Sequence, residues 1–355
     1  MKKIRKWFLP LLCSVTLLWG CGRPAADPTP SPTPTPETPT PSTSESPKVE
    51  ESFEVSFGHG FMPETPHHQA ALMFKEKVET KSNGRLKVTI FPTDQLGSAR
   101  EQFEGLQLGT QQVALLPTAR ISGFVPELQL FDLPFLFPDR QTAYKLMDGE
   151  VGAALLDKLS SQQVKGVAFY EDGFKHFTAN KEIRTVDDFK GLKFRTMESP
   201  IIMEQFRVLG ANPTPIDFAE LYNSLQQGVV DGQENPLVTI KNMKFYEVQD
   251  FVILSGHGYL GHAFMFSQNW FDSLPKDLQD ILESTGKELA AWQRAEVEKE
   301  EALYLEEIKK HGTQVIELDS ENKAALRDLT RSVHKLYSDK FGSEILDKAY
   351  AEIGQ

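Results

Sequence analysis

From residue 52 onward, short apolar runs that end in glycine or proline alternate with longer stretches of helical spacing. FEVSFGHG (53–60) reads as a strand, and HHQAALMFKEKVETKSNG (67–84) as a helix. That helix carries Ala70, Leu72, Met73, Phe74 and Val78 near helical spacing and stops at Gly84. RLKVTIF, QQVALLP and VKGVAFY are further strands, separated by the helical LGSAREQFEGLQLGT and AYKLMDGEVGAALLDKLSSQQ, with the apolar loop FDLPFLF between. Strands that alternate with helices predict an α/β fold with a mostly parallel sheet. In such sheets ligands sit beyond the carboxyl ends of the strands.

The pattern then repeats. KHFTANKEI leads to the helix-start signal TVDDF, the strand GLKFRT (191–196) and SPIIMEQFRVLG, helical after Pro200. Asp217 is placed to cap FAELYNSLQQG, and GVVDGQENP is a short strand or turn about Gly232. FVILSGHGYLGHAFMFS holds two strand-like runs broken by glycines at 256, 258 and 261. Residues 275–311 are nearly all helix formers; at 1.5 Å per residue they make a helix of about 50 Å, long enough to bridge two lobes. The strand QVIELD and further helices end the chain.

Ahead of this lies a segment that cannot pack a core. RPAADPTPSPTPTPETPTPSTSESP is dominated by proline, threonine and serine, and reads as a semi-extended tether over 22–49. Residues 1–21 read as an export signal, with a basic start and a short apolar run that ends Leu18-Trp19-Gly20-Cys21. Those last residues resemble a bacterial lipobox, which makes Cys21 the expected lipidation site and the membrane a partner through that anchor. The only other cysteine, Cys13, lies inside the signal, so cysteine-based zinc sites and thiol nucleophiles are excluded from the folded part.

The net charge is −12, and −16 once Lys2, Lys3, Arg5 and Lys6 of the signal are set aside. That balance excludes a nucleic-acid binder and gives no long-range attraction to anions, so an anion must be held by local groups. No GxGxxG, GxxxxGK[ST] or GxSxG motif is present. His67 and His68 are adjacent and point to different sides of a helix, a poor arrangement for a shared metal. No cofactor is implied. An enzyme using His176 or His257 as acid–base is the weaker alternative to a binding protein.

Three residues are placed to meet an anion: Arg195 in GLKFRT, Lys175 just past VKGVAFY, and Asn235, held extended before Pro236. In GLKFRT, Leu192 and Phe194 share one face of a strand, and Lys193 and Arg195 the other.

The run GLKFRTMESPIIMEQFRVLGANPTPIDFAELYNSLQQGVVDGQENP resembles the solute-binding proteins of tripartite ATP-independent periplasmic (TRAP) transporters, the DctP family. So do KVETKSNGRLKVTIFPTDQLGSAREQFEGLQLGT, LQLFDLPFLFPD and GFKHFTANKEIR. The resemblance implies a two-lobed periplasmic-binding-protein-like clamp, each lobe a mixed, mostly parallel sheet flanked by helices, with the long helix spanning both. It sets lobe one at 50–172 plus 262–300 and lobe two at 173–261 plus 301–355. It implies that Arg195 and Asn235 hold a ligand carboxylate, and that TRAP integral-membrane subunits, small and large, are partners. GFKHFTANKEIR and the GHG at 256–258 resemble the subgroup that takes four-carbon dicarboxylates, with Lys175 as the second carboxylate's partner or else paired with an acid such as Asp172. Thr65, Thr118, His257 and Tyr259 are further candidates for the cleft wall. A sensor ectodomain, or a receptor for a monocarboxylate, 2-oxo acid or sugar acid, is the alternative within the same fold.

Overall fold

The computed structural model describes residues 51–354; the export signal, Cys21 and the Pro/Thr-rich tether lie outside them. The strands are β1 (Phe53–His59), β2 (Leu86–Phe91), β3 (Val113–Pro117), β4 (Val164–Ala179), β5 (Lys193–Thr196), β6 (Asn212–Pro215), β7 (Gly232–Pro236), β8 (Phe251–Ser267) and β9 (Gln314–Glu317). They form one sheet in the order β2-β1-β3-β8-β4-β7-β5-β6, with β9 alongside β8. The parallel groups expected for the two lobes are thus parts of one mixed sheet. The pairs of β1 with β2 and β3, of β5 with β6 and β7, and of β8 with β9 are parallel. Antiparallel pairing joins β3 to β8, β8 to β4 and β4 to β7, and so fuses the two parallel groups.

The fusion rests on two long strands that the glycines disguise. β4 and β8 are 16 and 17 residues long and run on through Gly173 and Gly256. Both glycines have positive φ (111° and 57°), a conformation open to glycine at little cost. The ladder between them shifts register between Glu171 and Gly173, opposite Gly261 and Leu260. Such an irregularity bends a strand pair and re-aims its side chains.

The apolar core divides across these same strands. Phe169 and Tyr170 of β4 belong to two clusters built with residues 55–155, whereas Phe177, eight positions on in sequence, packs with Phe189, Phe194 and Phe206. The helix Lys276–His311 has 36 residues, about 54 Å at 1.5 Å each. Its Leu278, Leu282 and Leu289 enter a cluster with β1 and β3, and its Tyr304 and Ile308 enter one with Leu221, Leu225 and Val252. It therefore bridges two cores, as its length predicts. Val333, Tyr337, Leu346 and Ala349 pack with Phe103, Phe131 and Leu146, and with Ile201 and Tyr259, so 332–353 cover residues of both expected lobes. Their apolar stripes were legible in the sequence, but the core they cover lies some 200 residues away.

Candidate functional site

A cavity lies where the carboxyl ends of the parallel strands meet the bend of β4 and β8. Gly60 and Phe61 follow β1, Pro117 and Arg120 end and follow β3, Arg195 and Met197 end and follow β5, and Asn235 and Thr239 end and follow β7. Asp172 of β4 and Leu260 and His262 of β8 complete the wall with Phe218. The topology thus delivers side chains from both lobes to one place.

Arg195 gets there through the two-residue period of β5. Leu192 and Phe194 enter the core, Lys193 is exposed, and Arg195 is 2% exposed. Next to it Gly232 of β7 is obligatory, because a Cβ there would stand 2.3 Å from the Thr178 carbonyl oxygen and 2.7 Å from the Phe194 ring. Arg195 Nε donates to the Ile216 carbonyl at 2.9 Å. Among the described residues its Nη atoms have no hydrogen-bond partner and it has no ion pair. Burial, and then the positive charge of Arg120, pull its pKa down to about 9, against the attraction of Glu234 and Asp217. A buried guanidinium beside a second cation, with its fork unused, is a receptor for a planar anion.

Arg120 is the second cation, and sequence reading missed it. It sits in the short helix Thr118–Ile121, directly after β3, where strand-end residues are displayed. That position was the only signal available. Its Nη atoms lie 3.5 Å from Asp94 and 3.4 Å from Asp217, both loose contacts. The guanidinium groups of Arg120 and Arg195 lie 5.6 and 5.9 Å from the Phe218 ring centroid. The space continues outward past Arg120 and Arg195 towards Ser98, Glu198 and Asp217.

The remaining expected residues separate into two groups. Asn235 lines the cavity with Arg195, and its Nδ2 donates to Gln233 Oε1. Lys175, Thr65, Thr118, His257 and Tyr259 do not line it. Lys175 is 0% exposed and its Nζ lies 2.5 Å from Glu234 Oε1. Within the chain its partner is therefore Glu234 and not Asp172. His257 Nε2 donates to Glu234 Oε2 at 2.6 Å, while Ser255 Oγ donates to His257 Nδ1 at 2.7 Å. Burial alone would raise the Glu234 pKa; the Lys175 charge and the bonds from His257 and Lys175 outweigh it and hold it at about 2. Tyr259 donates its hydroxyl to Glu171. Thr65 caps the helix Pro66–Lys81, accepting from His68 N at 3.3 Å. Thr118 Oγ1 donates to the Gly261 carbonyl at 3.2 Å. Thr65, Thr118, His257 and Tyr259 were placed by chain position alone, and each is bonded within the fold.

A sheet shared by two cores, bridged by one long helix, with a cationic cavity between the strand ends, is the build of a solute-binding protein. Residues 57–340 match the family described as bacterial extracellular solute-binding protein, family 7, and the chain belongs to that DctP family. The C4-dicarboxylate-binding periplasmic protein DctP of Rhodobacter capsulatus is 35% identical over 302 residues, 84% of this chain and 91% of the relative. The C4-dicarboxylate-binding protein DctB of Bacillus subtilis is 34% identical over 300 residues, 84% of this chain and 86% of the relative. Among solved structures, a TRAP periplasmic solute-binding protein of Desulfovibrio salexigens with bound orotic acid has a TM-score of 0.82 and 38% identity, covering 85% of this chain and 99% of that one. One from Sulfurospirillum deleyianum with bound succinate has a TM-score of 0.81 and 36% identity, with the same coverage. The sugar acid binding protein DctPAm of Advenella mimigardefordensis, in complex with galactonate, has a TM-score of 0.83 and 33% identity over 86% of this chain and 98% of that one.

Proposed function

We propose that this protein is the extracytoplasmic receptor of a TRAP transporter for a small carboxylate, foremost a four-carbon dicarboxylate such as malate, succinate or fumarate. The observation that carries the reading is Arg195, buried at the cavity wall with both Nη atoms unbonded. One ligand carboxylate takes the Arg195 fork and Asn235. The second faces Arg120, whose contacts to Asp94 and Asp217 are long enough to yield. Relatives named for C4-dicarboxylate binding, and the neighbour with succinate, support the ligand class.

Closure brings the lobes together about the bend of β4 and β8, near 171–173 and 260–261, a hinge motion driven by contacts that only the closed form completes. Release then serves integral-membrane subunits, small and large, in the membrane to which a lipid on Cys21 anchors the tether. Replacing Cys21 by alanine releases the protein from membranes into the soluble fraction if that anchor exists; unchanged membrane association removes it.

The receptor reading is tested by thermal shift. A ligand that binds only the folded state raises the melting temperature with its concentration. Malate, succinate and fumarate stabilise the wild type and leave Arg195→Met unmoved. No shift with any carboxylate, or equal shifts in the variant, overturns the reading.

A further inference from the structure

The cavity wall also carries polar groups that are not cations. Asp172 and Thr239 line it together, and Thr239 Oγ1 donates to Asp172 Oδ2 at 2.7 Å. The other oxygen, Asp172 Oδ1, is buried without a hydrogen-bond partner, 3.7 Å from His67 Nε2. His262, also on the cavity wall, has a buried Nδ1 without a partner. Buried polar atoms are nearly always satisfied, and leaving one unpaired costs about 1–3 kcal/mol. Two orphans on one cavity wall are places left for a ligand.

We infer that Asp172 is a specificity-determining residue that reads a hydroxyl group on the bound carboxylate. The inference rests on the receptor reading above. A hydroxyl donates to Asp172 Oδ1 or accepts from it, whichever the proton on the carboxyl requires. A methylene in the same place leaves Oδ1 orphaned, and a second carboxylate there meets an acid. Burial raises the Asp172 carboxyl to about 7, against the Thr239 bond, which suits a group that serves as donor or acceptor. A site built to bond a hydroxyl rejects the analogue that lacks it more strongly than an apolar pocket rejects an extra methylene.

The test is calorimetry with two pairs that differ in hydroxylation, malate against succinate and erythronate against butyrate. In the wild type the hydroxylated member binds at least tenfold tighter in one pair or both. In Asp172→Leu that preference falls below twofold, while succinate or butyrate still binds, which also shows that the variant folds. Asp172→Asn restores part of the preference. Equal wild-type affinities within each pair overturn the inference and leave the receptor reading intact; so does a preference that survives in Asp172→Leu. If Asp172→Leu does not fold, the wild-type pairs and Asp172→Asn decide. No binding of any of the four overturns both readings.

Discussion

Two buried cations lie on strands of the same lobe, and the protein treats them in opposite ways. Lys175 on β4 meets Glu234 at 2.5 Å, and Glu234 is bonded in turn by His257 and, at 3.3 Å, by Gln205. Arg195 on β5 meets a carbonyl and a ring face, and no carboxylate. A buried charge is costly unless it is paired. The Lys175 pair is therefore complete within the chain, and Arg195 is complete only when something anionic arrives. The same residue class, at similar burial, is structure in one place and site in the other; what separates them is the partner.

Removing Glu234 gives the largest effect and attacks the paired region. Glu234→Leu strands Lys175 in the core, and breaking a buried pair this way costs about 3–5 kcal/mol. Urea unfolding measures it; a loss under 1 kcal/mol means that the pair is not what holds Lys175. On the open side, Arg120→Met takes away a charged partner for the second carboxylate. It weakens dicarboxylate binding by about 1.5–3 kcal/mol and monocarboxylate binding by much less. Calorimetry with succinate and butyrate reads the difference, and equal losses move Arg120 out of the second-carboxylate role.

Acid separates the regions further. His59, His67 and His176 are held at about 3, chiefly by burial. The unfolded chain protonates such groups below about 6.5 and the fold does not, so their contribution is present above that pH and lost as pH falls. Burial raises Asp132 and Asp172 to about 7, which acts the other way: their contribution is lost as pH rises through 7. Burial also raises Asp94 and Glu171, and it lowers His68 and His334; the lowered histidines outnumber the raised acids, so stability is lost on balance as pH falls from 6.5 to 4. His257 and His262, also lowered mainly by burial, add to it. Glu234, held at about 2, stays ionised throughout that window. Melting temperature should fall from pH 6.5 to 5; a rise means that the acids dominate.

The smallest effect tests a residue first considered for the cleft wall. Thr65→Ala removes a helix cap and costs about 1 kcal/mol of stability, with ligand affinity unchanged. Weakened binding without a stability loss would return Thr65 to the site.

Much of this was legible in the chain. The alternation in GLKFRT put Arg195 opposite a core face, and Pro236 held Asn235 extended, both local properties of a few residues. The long helix was legible because helix formers persist from 275 to 311. The acid that pairs with Lys175 was not legible, because Glu234 lies 59 residues on and joins it only through the pairing of β4 with β7. Arg120 and Asp172 were missed for a similar reason. Their neighbours Thr118 and Lys175 were singled out instead, and only the bend of β4 and β8 brings Arg120 and Asp172 to the ends of β1, β3, β5 and β7. The continuous β4 and β8 were hidden by glycines that mark bends in a strand and not its ends.

The contrast between the two cations is tested most directly by one experiment: urea unfolding of Arg195→Met and Lys175→Met, each with and without saturating dicarboxylate. The account predicts that Arg195→Met unfolds without ligand at the wild-type midpoint or above it and gains nothing from ligand. It predicts that Lys175→Met is several kcal/mol less stable without ligand, since Glu234 loses its cation, yet gains the wild-type increment when ligand is added. An Arg195→Met protein that ligand still stabilises, or a Lys175→Met protein of wild-type stability that ligand does not stabilise, would contradict it.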